Sequence, residues 1–232
     1  MKHLAGFLGA GLVAALLAAP AAHADTVLHL TVTANVTAMP DELVAQLTAT
    51  ADAASAGAAQ QQVNQMVETA LGAAKTLSAV TASTTHYSVW HETDPKDIWH
   101  ASQGVALRSR DGGGLLTLVG TLQQDGLAVG DLSWQLSPAA SEKTYEAAIG
   151  KAVDLLTERA GVVAGLLHLT LRGFQSVTVG QDGGPPVQPM GVVRMMAAAP
   201  VAAAAPPPSA RADVVTVSAT VSGDARLEAA SP

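Results

Sequence analysis

Three histidines crowd one short stretch of this chain: His86, His91 and His100, flanked by Glu92, Asp94 and Asp97. Imidazole and carboxylate groups ligate zinc and related ions, and imidazole also moves protons near neutral pH. Either chemistry requires the groups to converge on one point. Val80 to His91 and Trp99 to Ser109 read as two strands rich in Thr, Val and aromatics, joined by the polar turn Glu92 to Asp97. If that hairpin is symmetric about Asp94 and Pro95, Trp90 lies opposite His100 and His91 opposite Trp99. The two histidines then point to opposite faces, and cross-strand aromatic stacking is their simpler use.

Other chemistry-bearing residues resolve in the same direction. Asp111-Gly112-Gly113-Gly114 opens a short helix, and a Gly-rich helix start can cradle a phosphate. It lacks the Lys-Ser/Thr of a P-loop and the G-x-G-x-x-G spacing, and Asp111 would repel the anion, so Asp111 reads as an N-cap. Glu142, Glu146, Asp154 and Glu158 alternate with Lys143, Lys151 and Arg159 as a solvated helix face, a simpler reading than paired acid and base. His29 and His168 fall on polar faces of strands with no partner nearby in sequence. Met66 lies on a helix stripe as core filler, whereas Met190, Met195 and Met196 lie outside any core pattern and are open to oxidation or to packing on a partner. The chain has no cysteine, which excludes disulfides, thiolate metal sites, a Cys nucleophile and a lipid-anchored Cys. No residue is assigned a catalytic, cofactor-binding or metal role, and a non-enzymatic protein is expected.

The N-terminus supplies the compartment. Lys2, an apolar run from Leu4 to Ala19 and Ala22-His23-Ala24 form the pattern of a cleaved signal peptide over residues 1–24. A mature protein without a membrane span, exported to a bacterial periplasm, is the expectation. Of 232 residues, 12 are Lys or Arg and 19 are Asp or Glu, for a net charge of -7. With few aromatics and no basic cluster, that balance argues against nucleic acid as a partner.

The elements follow from periodicity. Thr26 to Val36 alternates Leu28, Leu30, Val32, Ala34 and Val36 with polar residues; after Pro40-Asp41, Leu43 to Ala51 does the same, which predicts an opening antiparallel hairpin. Ala59, Val63, Met66, Val67, Ala70, Ala74 and Leu77 make one face of a long helix within 55–77. After the histidine hairpin come a short helix (Leu115, Leu116, Val119, Leu122), a strand over Leu127 to Ser137, and a long helix from Pro138 ending at Gly161. A strand over Leu166 to Phe174 follows. Residues 180–212 are Pro-, Ala- and Met-rich and are expected to be a mobile loop; Val214 to Val221 then alternates as a strand that returns to the sheet. The prediction is an α+β fold: antiparallel sheets of about seven strands covered by two long helices and one short one, in a single domain over 25–228 with 213–228 as its closing strand.

Several motifs in this order are similar to those of the SIMPL-domain family. They are Thr31-Val32-Thr33-Ala34 with Pro40-Asp41, the helix around Gln62 to Asn64, and Trp99-His100-Ala101-Ser102-Gln103. Leu132 to Ser137 and Pro189-Met190 through Arg194-Met195-Met196 to Val214–Val221 complete the set. The resemblance implies an exported α+β protein tied to envelope or oxidative-stress tolerance, with ring-like oligomers in some members. Self-association is therefore expected, with an envelope protein as a further partner. The alternative function is metal or small-ligand binding at the Trp/His hairpin.

Overall fold

The computed structural model describes residues 26–95, 97–180 and 210–229. The expected signal peptide and nearly all of the expected Pro/Ala/Met loop lie outside these residues. The elements run β1 (Thr26–Ala38), β2 (Glu42–Ala53), α1 (Ala56–Lys75), β3 (Val80–Glu92), β4 (Ile98–Ser109), α2 (Gly112–Gln124), β5 (Ala128–Gln135), α3 (Pro138–Leu166), β6 (Leu169–Val179) and β7 (Val215–Ala229). The predicted α+β class, seven strands and three helices are all present.

The strands divide into two open antiparallel sheets, β1-β7-β6 and β3-β4-β2-β5. Each has its own core. Helix α3 backs the three-stranded sheet with a stripe of small residues, Ala148, Ala152, Ala160 and Ala164, around Leu156, which meets Val32, Ala34 and Val221. The small stripe lets helix and sheet approach closely: a Cβ added at Gly223 would stand 3.0 Å from both Leu156 and Phe174. Helix α1 covers the four-stranded sheet through Ala59, Val63, Val67, Ala70 and Ala74, the face read from its period, with Met66 packed beside it. Helix α2 adds Leu115, Leu118, Val119 and Leu122. All three helices begin at a side-chain cap: Ser55, Asp111 and Ser137 accept from Ala58, Gly114 and Ala140 backbone N–H groups.

The opening hairpin does not form. β1 pairs with β7, from Thr26↔Leu227 to Ala38↔Val215, while β2 is an inner strand of the other sheet, between β4 and β5. Leu43, Val44 and Ala45 are buried in succession, which marks a strand covered on both faces at that end rather than half of a surface hairpin. Pro40-Asp41 carries the chain from one sheet to the other. Asp41 accepts from Ser137 N–H at 2.7 Å and from the Ser137 hydroxyl at 2.8 Å, and Arg110 stands 3.6 Å away.

The second correction concerns the end of α3. Gly161 does not stop the helix, because the buried stripe continues from Ala160 to Ala164 and the chain stays helical to Leu166. The left-handed residue that turns it is His168, with φ 56°, so His168 sits in a turn and β6 begins one residue later. The returning strand, Val215–Ala229, is central: β7 lies between β1 and β6. Gly180 N–H donates to Thr220 O at 2.8 Å, and Trp134 Nε1–H donates to Ala210 O at 3.3 Å, so the described residues flanking 181–209 are both tied down.

Candidate functional site

The β3–β4 hairpin carries two of the chain's three tryptophans and three of its seven histidines. Its register is as predicted, Trp90↔His100 and His91↔Trp99, but a bulge sets it. Thr84 pairs with Val105 and Tyr87 with Gln103, so Thr85 and His86 together oppose Gly104. The extra residue moves the core-facing positions of β3 from Ala82 to Val89 and His91, and it sends Trp90 to the opposite face. Gly104 leaves room there for the Thr85 hydroxyl, which would have to turn away from any added Cβ. His86, in the bulge, is exposed.

On the helix-covered face, His91 stacks on Trp99 with ring centroids 4.4 Å apart and an 11° interplanar angle, and its Nε2 lies 2.5 Å from Asp97. On the open face, Trp90 stacks on His100 at 5.0 Å and 16°. His100 Nδ1 stands 2.7 Å from Asp52 Oδ1 and Nε2 stands 3.0 Å from Glu92 Oε2. The hydrogen bond with Asp52 is the main reason its pKa is raised above the usual histidine value; desolvation opposes the rise and Glu92 adds to it. Glu92 and Asp97 were singled out in the sequence. Asp52 was not, and the missing signal was topological: it faces His100 only because β2 pairs with β4, at Asp52↔His100.

The open face of the other sheet carries a related cross-strand chain. His29 on β1 meets Asp224 on β7 at 2.7 Å, and Asp224 accepts from Ser176 on β6 at 2.6 Å. Those bonds hold the Asp224 carboxyl below the usual range, Ser176 contributing most. A nucleophilic relay needs histidine between serine and carboxylate. Here the carboxylate is in the middle, so His29 cannot take the Ser176 proton, and the chain works as a strand-to-strand tie. Thr31 with Ser222 and Thr33 with Thr220 extend it as hydroxyl pairs.

The remaining candidates separate. Asp111 caps α2, and Glu142, Glu146, Asp154 and Glu158 lie exposed along α3. Met190, Met195 and Met196 fall outside the described residues. Among the described residues, no group of three His or acidic side chains could hold a metal ion, and His91 and His100 stay on opposite faces. No described helix is long and apolar enough to cross a membrane.

Two open antiparallel sheets, each backed by helices and exposing a polar face, define an α+β protein with a stacked Trp/His hairpin. The SIMPL family model, a protein of unknown function (DUF541), matches residues 28–224, and the chain belongs to that family. No curated protein matches it.

Proposed function

We propose that this is an exported, non-enzymatic periplasmic protein that self-associates through its sheet edges and supports envelope integrity or oxidative-stress tolerance. One observation carries the assembly reading. Both sheets are open, and among the described residues the outer strands β1, β6, β3 and β5 are hydrogen-bonded to a strand on one side only. β1 and β3 are each 13 residues long, and long edges are templates for pairing with a further strand. Tyr87 and Trp90 stand exposed on β3 and Val27 on β1. Light scattering of the exported protein over a wide concentration range is expected to give a multiple of the monomer mass, lowered by Val27→Lys or Tyr87→Lys. A monomer at every concentration removes the assembly part. Cell fractionation tests the compartment, and survival of a deletion strain under detergent and peroxide tests the role.

A second reading rests on Trp90, which is 47% exposed although stacked on His100. An accessible indole with hydroxyl and carboxylate neighbours suits a small polar ligand better than a metal, because His91 and His100 would have to leave opposite faces to share an ion. Tryptophan fluorescence titration with a panel of small ligands, alongside metal titration, tests it; no change that Trp90→Ala abolishes would remove it.

A further inference from the structure

Among the described histidines, His100 is set apart by having a carboxylate at each ring nitrogen. Asp52 from β2 lies 2.7 Å from Nδ1 and Glu92 from β3 lies 3.0 Å from Nε2. An ionised carboxylate only accepts hydrogen bonds, so both nitrogens must carry a proton for both contacts to hold. A neutral imidazole has one N–H and one lone pair. His29 and His91 each face one carboxylate through one nitrogen, and a neutral tautomer satisfies that. Both contacts can hold as hydrogen bonds to ionised carboxylates only while His100 is an imidazolium.

The position of that charge matters. The ring side chain is only 16% exposed, and Trp90 covers it by stacking. Asp52 and Glu92 are the charged groups that face it. The nearest positions of its own strand on that face lead to Ser102, and Arg108, further along β4, pairs with Glu42. His91, Asp97 and helix α1 are on or beyond the other face. Glu92 is the last residue of β3, an outer strand, whereas Asp52 belongs to inner strand β2.

We propose that His100 is a pH-operated clasp on the hairpin tip: doubly protonated, it ties the end of β3 through Glu92 to β2 through Asp52, and loss of one proton releases the Glu92 end. On deprotonation the remaining N–H keeps the shorter bond to Asp52, and the lone pair then faces the Glu92 carboxylate and repels it. The released tip carries Trp90, so the accessible surface of this sheet edge is tied to pH.

The test is nitrogen-15 NMR of the histidine rings in the folded protein across pH, together with amide-exchange protection factors for residues 89–98. His100 is expected to show two ring N–H groups at neutral pH and to titrate above the ordinary histidine value of about 6.5. Protection at the tip should fall as it titrates, while protection in 101–107 stays level. Glu92→Gln, a surface change, should lower the His100 pKa and remove the pH dependence at the tip; His100→Gln should give the same flat profile. A His100 pKa at or below the ordinary value overturns the clasp, as does tip protection that is indifferent to its titration or remains pH-dependent in Glu92→Gln.

Discussion

Ser137 gives Asp41 both its backbone N–H and its hydroxyl, so one carboxylate ties the exit of β1 to the entrance of α3 across 96 residues of sequence. Ser137 is also the N-cap of α3, and Arg110 reaches both residues. Two chain crossings between the sheets are thereby held at one point. Replacing Asp41 with Ala leaves the largely buried Ser137 donors without their acceptor and should cost about 1–3 kcal/mol, read as a lower urea midpoint. In combination with Ser137→Ala the loss should be smaller than the sum of the two, because both variants remove the same bonds.

Asp41 also sets an acid limit. Burial works to raise its pKa, but the Ser137 N–H and hydroxyl, with Arg110, outweigh it and hold the group below the usual carboxylate value. A depressed pKa contributes stability above the unfolded value, and that contribution is lost as pH falls through the folded value. The melting temperature of Asp41→Asn should therefore change less with pH on the acid side than that of the parent.

Gly223 sits on β7 where Leu156 of α3 and Phe174 and Ser176 of β6 all crowd its Cα. A methyl group there would meet Leu156 and Phe174 side chains at 3.0 Å and Ser176 O at 3.1 Å, the last a backbone atom that cannot step aside. Gly223→Ala should cost about 1–3 kcal/mol by overpacking. Chemical denaturation at constant m-value checks it.

Truncation after Gly180 removes β7, the strand on which both β1 and β6 depend for hydrogen bonds. The shortened protein should aggregate or lose cooperative unfolding, as exposed strand edges do. A soluble truncation that melts in one sharp transition contradicts this.

The helix starts are separable from the cores. Ser55→Ala and Asp111→Ala each remove the one side-chain acceptor at a helix N-terminus and should cost about 0.5–2 kcal/mol with little change in fold, measured by circular dichroism melts.

Period and capping made most elements legible: the α1 stripe, the N-cap at Asp111, the α3 entrance at Pro138 and the Trp90↔His100 register all follow from neighbours in sequence. What failed depended on partners far along the chain. A strand pattern over Thr26–Val36 does not say whether its neighbour is β2 or β7, and the tight link at Pro40-Asp41 favoured the wrong one. Burial of Val44 between buried Leu43 and Ala45 was the local clue that β2 is an inner strand. Gly161 misled because glycine is common just past a helix end, yet the Ala160–Ala164 spacing outweighs it. Once β2 was paired with the wrong neighbour, Asp52 could not be placed beside His100.

The middle strand of the three-stranded sheet is also, among the described strands, the last in chain order. Residues 42–135 can complete the other sheet with its own helices as soon as they emerge, whereas Thr33 must wait 187 residues for Thr220. Among the described strands β1 is thus the first in chain order and among the last to gain a neighbour, and such distant pairing slows folding of that half. Until β7 has been made, the backbone hydrogen-bonding groups of β1 have no strand to meet among the described residues and stay open to water.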